Sequence, residues 1–247
     1  MALPPQIFAL ATPAQAIPLA MCDNHTMIRN PLTLPTLIVM LLMLAGCSSR
    51  PKIPDFTASG YLADRGAVRI WRKDTPQHSS HLVTVYTPFT GGNTETTDYQ
   101  WQEDKLVSVE RKSLGKHPES VTLRFDQDGS LSFMQRQLEG QREALSPDAV
   151  ALYQFEAGRM LKISDDLLEG RVWLKQGYWS PSGTVTLCQG GVEKPTFDRF
   201  FTNYITQHQR ESGKPVSISW LEAPKGTQLI LVSADDQCRT EPKAADL

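Results

Sequence analysis

The chain has 247 residues, a formal net charge of −2 at pH 7 and four cysteines. The small negative charge excludes the strong positive field that nucleic-acid-binding proteins use, so nucleic acid is not an expected partner. A chain of this length forms one domain or two small ones, and it can bury a substantial core.

An apolar run near the N-terminus predicts an export signal. Residues 37–44 are all apolar, basic Arg29 lies upstream, and small Ala45 and Gly46 follow before Cys47. A basic segment, a short apolar segment and a small-residue cleavage site are the parts of a secretory signal peptide. The alternative is a transmembrane anchor, which needs about 20 apolar residues, roughly twice the length of this run.

Residues 1–26 do not fit such a signal. They contain four prolines and no basic residue, and polar residues 23–25 come just before Met27. A signal that begins at Met27 has the usual short basic segment. We therefore expect Met27 to be the start and residues 1–26 to be a disordered extension of the gene model. An N-terminal peptide from residues 1–26 in cellular protein would contradict this.

Leu44-Ala45-Gly46-Cys47 resembles the lipobox of bacterial lipoproteins, in which the signal peptide is cut between Gly46 and Cys47. The resemblance implies a lipoprotein signal peptide at residues 27–46, and a diacylglycerol and a palmitate chain on Cys47. Several acyl chains anchor a protein stably in a membrane. Lipoproteins with Asp after the cysteine tend to stay in the inner membrane. Ser48 holds that position here, which favours the outer membrane, and we expect the anchored protein at its periplasmic face, with residues 47–56 as a lipidated tether.

Six segments after the tether alternate apolar and polar side chains. The predicted strands are Ala67–Arg72, His81–Tyr86, Thr94–Gln102, Leu106–Arg111, Val121–Phe125 and Leu131–Arg136. Alternation with period two and short polar turns predicts an antiparallel meander with one apolar face.

A helical pattern follows the meander. Ser146 is a good N-cap residue, Pro147 suits the first helical position, and Gly170 can end the segment. Gly158 and the Ser164–Asp166 step weaken the pattern, which leaves one helix or two short ones. Packing this helix on the one-sided sheet would bury the apolar faces of both.

The C-terminal region returns to strand patterns, with a possible helix at residues 197–209. Strands are predicted at residues 171–175, 184–188, 216–220 and 228–232. The expected fold class is α+β, mainly antiparallel β. It comprises a meander with a packed amphipathic helix at residues 57–170, a smaller disulfide-stapled β-rich part at residues 171–240, and a tail at residues 241–247.

Two cysteines remain after Cys22, in the extension, and Cys47, the lipid site. Cys188 and Cys238 form an even pair in an oxidising compartment, which predicts a disulfide. Its loop of about 50 residues would contribute ~4 kcal/mol on the chain-entropy model. The alternative is two separate buried thiols. No metal site is expected, because neither cysteine has a nearby His or Cys partner.

The segment Asp126-Gln127-Asp128-Gly129 superficially matches a calcium-binding EF-hand loop. With Gly129 at loop position 6, the first ligand becomes Arg124 and the last becomes Gln135, so the loop lacks two carboxylates that calcium needs. We interpret the segment as an Asp-Gly hairpin turn.

Other polar clusters are weak candidates for chemistry. His78 and His81 could bind a metal, but no third ligand is evident, and a surface loop is the preferred interpretation. Residues 91–93 suggest a turn rather than a phosphate-binding loop. The carboxylate pairs 103–104 and 165–166 are adjacent in sequence and so do not share a face. Motifs of serine and cysteine nucleophiles are missing from the sequence. We therefore expect no catalytic residue and no cofactor.

The five tryptophans leave two interpretations open. They are Trp71, Trp101, Trp173, Trp179 and Trp220, all in or beside predicted strands. They could form an exposed aromatic groove for a peptide, glycan or lipid, or they could fill the core, which is the more common place for aromatic side chains.

Five stretches of the body extend the resemblance beyond the lipobox. Residues 56–61, 68–73, 131–136, 151–155 and 219–224 are similar to the YjaH-type lipoproteins of enteric and related bacteria, over most of Phe56–Cys238. That family has no known function, so the resemblance implies a lipoprotein and a fold but transfers no catalytic residue. The extension before Met27 departs from it.

These features favour a non-catalytic outer-membrane lipoprotein that binds an envelope partner or ligand. A periplasmic hydrolase is the first alternative, which a pocket with a perturbed acid or histidine would support. A carrier of lipid or another hydrophobic ligand is the second, which a large apolar cavity would support.

Overall fold

The computed structural model describes residues 53–247. The extension, the signal peptide, Cys22 and the lipid site Cys47 therefore lie outside the described residues.

The first sheet is an eight-stranded antiparallel meander in which every strand pairs with its neighbours in chain order. Its strands are β1 Phe56–Ala63, β2 Gly66–Asp74, β3 Ser79–Pro88, β4 Thr94–Gln102, β5 Lys105–Leu114, β6 Glu119–Phe125, β7 Leu131–Leu138 and β8 Gln141–Glu143. The predicted meander is confirmed. Two strands were missed by the sequence pattern, β1 and the short edge strand β8.

The turns of the meander follow from their residues. Between β6 and β7, Gly129 has a φ of 83°, its amide donates to the Asp126 carbonyl, and the Asp128 carboxylate accepts from the Ser130 amide at 2.9 Å. This confirms the hairpin turn. Between β4 and β5, Glu103 and Asp104 both adopt positive φ, as a tight two-residue hairpin requires.

One continuous helix, α1 (Pro147–Glu169), follows the meander. The Ser146 hydroxyl accepts from the Ala149 amide at 3.2 Å, as an N-cap residue does. The weak points at Gly158 and Ser164–Asp166 do not divide it. Gly158 faces open space, whereas Ser164 is fully buried, so tertiary packing holds this end of the helix in place.

The second sheet has five antiparallel strands in the order β11-β10-β9-β12-β13. Its elements are β9 Trp173–Trp179, β10 Val185–Leu187, β11 Val192–Glu193, helix α2 Arg199–Ser212, β12 Ser217–Ala223 and β13 Gly226–Ser233. The strand predicted at residues 171–175 begins instead at Trp173 and runs on to Trp179. A 3-10 turn, Gln237–Thr240, follows β13, and a disulfide joins Cys188 to Cys238.

Three apolar clusters arrange these elements as four layers. The first lies between α1 and one face of the meander and includes Leu123 and Met160. The second lies between the other face of the meander and the second sheet and includes Trp71 and Leu221. The third lies between the second sheet and α2 and includes Ile205. The expected α+β class is confirmed, with the two sheets stacked between the two helices.

Candidate functional site

A cleft of about 390 Å³ opens between the two sheets, where the start of β1 faces β9. Its walls are mainly apolar: Phe56 and Ala58 come from β1, Trp71 from β2, and Leu174 from β9. Polar groups complete the lining. The lining residues are Pro54, Phe56, Thr57, Ala58, Trp71, Trp173, Leu174, Lys175, Gln176, Leu187, Gln189 and Glu241. Its volume falls in the range of small-ligand pockets.

The polar part of the wall belongs to a buried network centred on Gln176. The Gln176 amide donates to the Glu241 carboxylate at 2.5 Å. Its carbonyl oxygen accepts from the Ser219 hydroxyl at 3.2 Å and from the Arg69 guanidinium at 3.2 Å. Gln189 holds the second oxygen of Glu241 at 2.7 Å. One glutamine side chain thus links β2, β9, β12 and the C-terminal segment.

Arg69 is the most unusual member of this network, because it is a cation that is 1% exposed. It donates to Gln176 and, at 3.1 Å, to the Thr87 hydroxyl, and its guanidinium lies 5.8 Å from the centre of the Trp71 ring. Its Nε has no hydrogen-bond partner. Burial lowers the pKa of Arg69 to about 10, and the negative charge of Glu241 opposes that shift.

The disulfide holds Glu241 in this position. Cys238 lies in the 3-10 turn and is bonded to Cys188, which follows β10. Farther on, the Lys73 ammonium donates to the main-chain oxygens of Ala244 at 2.7 Å and Leu247 at 2.8 Å. The segment predicted as a tail thus packs on the body and contributes Glu241 to the cleft.

Four of the five tryptophans fill the core, as the more common of the two interpretations had it. Trp71, Trp101, Trp179 and Trp220 are buried. Trp173 is half-buried, and it lines the cleft together with Trp71. The tryptophans therefore contribute mainly to the core, and two of them, Trp71 and Trp173, also line the cleft.

The two histidines considered as metal ligands occupy different environments. His78 occupies the β2–β3 turn with a φ of 55°. His81 lies in β3, where its Nε2 is 2.7 Å from the Asp98 carboxylate. Among residues 53–247, no group of three or more His, Cys, Asp or Glu side chains is placed to hold a metal ion.

The adjacent carboxylates at 165 and 166 point to different cations. Asp165 is 2.6 Å from Arg72, and Asp166 is 2.9 Å from Lys162. The first pair joins α1 to β2 and the second lies within α1, so the two carboxylates do not form a shared acid–base site.

A ladder of charges crosses the meander on the face that carries α1. Arg111 contacts Glu95 at 2.7 Å and Glu119 at 2.8 Å. Arg136 contacts Glu119 at 2.7 Å and Glu143 at 2.9 Å. Partial burial acts to raise the pKa of Glu119, but hydrogen bonds from Arg111 and Arg136 outweigh it and lower that pKa. This shift keeps the carboxylate ionised, which suits a structural role.

Sequence reasoning missed Arg69, Gln176 and Glu241. The available signal was Arg69 itself, a charged residue in the middle of an otherwise apolar strand, Ala67–Trp71. No local pattern connects these residues. Gln176 lies 107 positions after Arg69, and Glu241 lies 65 positions after Gln176.

In the part of the chain that the structure covers, no helix is long and apolar enough to cross a membrane.

Comparison with known proteins gives two related matches. The family model described as "Protein of unknown function (DUF1481)" matches residues 58–243. The chain is also 44% identical over 202 residues to the uncharacterized protein YjaH of Escherichia coli (strain K12), which covers 81% of this chain and 87% of that protein. No solved structure matches the chain significantly. The family match spans both sheets and the residues that line the cleft from Ala58 to Glu241.

Proposed function

We propose that this chain, which belongs to the DUF1481 family of proteins of unknown function, is a non-catalytic lipoprotein anchored through Cys47 in the outer membrane. The observation that carries the proposal is the segment Leu44–Cys47 at the end of the apolar run 37–44. An apolar segment of this length, small residues and then a cysteine are the features of a lipoprotein signal. The acyl chains on Cys47 anchor the body at the periplasmic face.

The disulfide supports export of the body. Cys188 and Cys238 are bonded to each other, and structural disulfides persist in the periplasm but are rare in the reducing cytosol. A lipoprotein body is exposed to the periplasm, so its cysteines meet the oxidising conditions that the bond requires.

The ionisable groups support a binding role over catalysis. The carboxyl groups of Glu119, Asp128 and Asp236 all have lowered pKa values, chiefly through hydrogen bonds, which for Glu119 outweigh its partial burial. A general acid or base works best with a pKa near the operating pH, which for a carboxyl group means an upward shift. These three carboxyl groups are therefore poorly suited to acid–base catalysis, and the cleft is the feature that we propose an envelope partner or ligand binds.

Membrane fractionation with two variants tests the anchor and its destination. We expect the unaltered protein in the outer-membrane fraction, the Cys47→Ala variant unacylated, and the Ser48→Asp variant acylated but retained in the inner membrane. An antibody to the native body should be used, because Leu247 packs against the core and a C-terminal tag would disturb it. Acylated Ser48→Asp protein in the outer membrane would contradict the proposed sorting. Outer-membrane attachment of unacylated Cys47→Ala protein would contradict the lipid anchor.

Cross-linking in living cells tests the binding role. We expect affinity capture of the Cys47-lipidated protein to recover a reproducible envelope protein or a bound small molecule, identified by mass spectrometry. Capture of neither, while a control lipoprotein captures its own partner, would contradict this part of the proposal.

A further inference from the structure

The cleft between the sheets lies close along the chain to the proposed lipid anchor. Pro54, which lines the cleft, follows Cys47 by seven positions. Seven residues span at most about 25 Å when fully extended. If Cys47 carries acyl chains in a bilayer, the cleft is held within that distance of the anchored residue.

The lining of the cleft is suited to a hydrocarbon chain. Phe56, Ala58, Trp71, Trp173, Leu174 and Leu187 all contribute to its walls. Phe56 and Leu187 are only partly buried, so part of their apolar surface still faces the cleft. Covering apolar surface is favourable, in rough proportion to the area removed from water.

The polar groups of the cleft do not favour an anionic ligand. Both oxygens of Glu241 are engaged, by Gln176 and by Gln189, and its negative charge faces the cleft. The Lys175 ammonium is already paired with Glu193 at 2.6 Å and Glu222 at 3.1 Å. An anionic head group would be repelled by the charge of Glu241, and no lining residue offers a free cation to offset it. A hydrocarbon chain is uncharged and meets no such repulsion.

We infer that the cleft binds a single acyl chain of a phospholipid from the membrane in which the protein is anchored. This inference rests on the proposed function, because the anchor is what holds the cleft beside lipid. An acyl chain that moves from the bilayer into the cleft exchanges an apolar surrounding for a mainly apolar one. The polar wall is prepared for this, because both oxygens of Glu241 keep their hydrogen bonds to Gln176 and Gln189. The tether also keeps the local lipid concentration high. The head group stays outside, beyond Pro54.

Photo-cross-linking in vesicles tests the inference. Purified lipidated protein is reconstituted with phosphatidylethanolamine and phosphatidylglycerol that carry a diazirine on one acyl chain. After irradiation and trypsin digestion, mass spectrometry locates the attached lipid. We expect it on the peptides that contain Phe56 and Trp173, and we expect excess unlabelled phospholipid to abolish the labelling.

Two variants and a matched control make the result specific. Ala58→Phe should fill the cleft and Leu187→Gln should make its wall polar, so both should lose the labelling. Val192→Gln is the control, because Val192 is an exposed apolar strand residue in the same sheet outside the cleft lining, and it should keep the labelling. Thermal unfolding shows which variants are folded. If only one of Ala58→Phe and Leu187→Gln folds, the labelling of that variant tests the inference.

The inference and the proposed function can fail separately. Labelling spread over exposed residues such as Leu152, or unchanged in a folded Ala58→Phe or Leu187→Gln variant, overturns the acyl-chain site while leaving the anchor intact. So does a cleft occupied by a peptide or by a second copy of the chain. The mass of the Cys47 peptide from the same sample reports the anchor independently. Unacylated protein that still labels in the cleft would overturn the anchor alone.

Discussion

Arg69 of β2 and Gln176 of β9 join the two sheets through a buried hydrogen bond of 3.2 Å between Nη1 and Oε1. Gln176 also connects Arg69 to Glu241, whose charge opposes that of the guanidinium. The arrangement places a cation between two sheets that otherwise pack through apolar side chains such as Trp71 and Leu221. We expect the stability of this buried arrangement to depend on Gln176, which is hydrogen-bonded to both Arg69 and Glu241.

Substitution of Gln176 by Ala should destabilise the protein strongly. The change leaves buried donors on Arg69 and Ser219 without their acceptor, and it leaves one carboxylate oxygen of Glu241 without its donor. Because an unsatisfied buried group costs about 1–3 kcal/mol, and more when charged, we expect the free energy of unfolding to fall by about 3 kcal/mol. Urea unfolding measures the change. A loss below about 0.5 kcal/mol, the range of ordinary surface substitutions, would contradict this role.

Replacing both partners should cost less than removing one. In the Arg69→Met/Gln176→Leu double variant, apolar side chains of similar size take the place of the buried polar pair. Such replacements are often neutral or stabilising, whereas one orphaned partner is costly. The double variant should therefore unfold at a higher urea concentration than Gln176→Ala. If the double variant unfolds at a lower urea concentration than Gln176→Ala, the prediction is wrong, and the polar pair stabilises the protein more than its apolar replacement does.

Reduction of the disulfide should lower stability and release the C-terminal segment. The bond closes a loop with a sequence separation of 50 residues, which corresponds to about 4 kcal/mol on the chain-entropy model. Thermal unfolding with and without reductant measures the loss. The Cys188→Ala/Cys238→Ala variant should match the reduced protein and should not respond to reductant. Equal stability of the oxidised and reduced protein would contradict the prediction.

The pH dependence of stability should reveal the ion pairs of Glu119. Its pKa in the folded state lies below the ordinary value of 4.5, so its contribution is complete above about pH 4.5 and is lost as the pH falls through the lowered value. We expect Glu119→Gln to destabilise the protein by about 2 kcal/mol at pH 7, because two charged hydrogen bonds are weakened. The difference should shrink below pH 4.5.

The control for this experiment is Glu103→Gln, at an exposed position in the β4–β5 turn. Urea unfolding of the three proteins between pH 7 and pH 3 gives the comparison. A Glu119→Gln difference that stays constant over this range would show that the charge of Glu119 does not stabilise the ladder.

Substitution of Gly158 by Ala should stabilise the protein. Gly158 lies inside α1, and a Cβ atom added there meets no other atom within 4 Å. Since Gly in a helix interior costs about 0.5–1 kcal/mol relative to Ala, we expect a gain of that size in the free energy of unfolding. A loss of stability would mean that α1 needs a flexible point at this position.

The sequence predicted the meander and α1 because their signals are local. Alternation in segments such as His81–Tyr86, and the capping pair Ser146-Pro147, each depend on a few neighbouring residues. The missed strand β1 has the sequence Phe-Thr-Ala-Ser-Gly-Tyr-Leu-Ala, whose small residues give a weak alternation. Its pairing with β2 supplies the order that its own side chains do not signal.

The stacking of the two sheets and the cleft were beyond such local signals. Residues 66–71 of β2 are all buried, because one face packs towards α1 and the other towards the second sheet. The sequence does not reveal that both faces are buried, because a charged residue such as Arg69 in a strand normally indicates a solvent-exposed face. Glu241 lies in a polar C-terminal segment, where composition predicted only a tail. Its place in the cleft follows from the disulfide and from Gln176.

The central claim is that Cys47 is the lipidated N-terminus of the mature protein. The most direct test is the intact mass and fragmentation of the N-terminal peptide from protein purified out of bacterial membranes. The account predicts a peptide that begins at Cys47 and carries a diacylglycerol and an amide-linked acyl chain. A peptide that begins upstream of Cys47, or an unmodified Cys47, would contradict it.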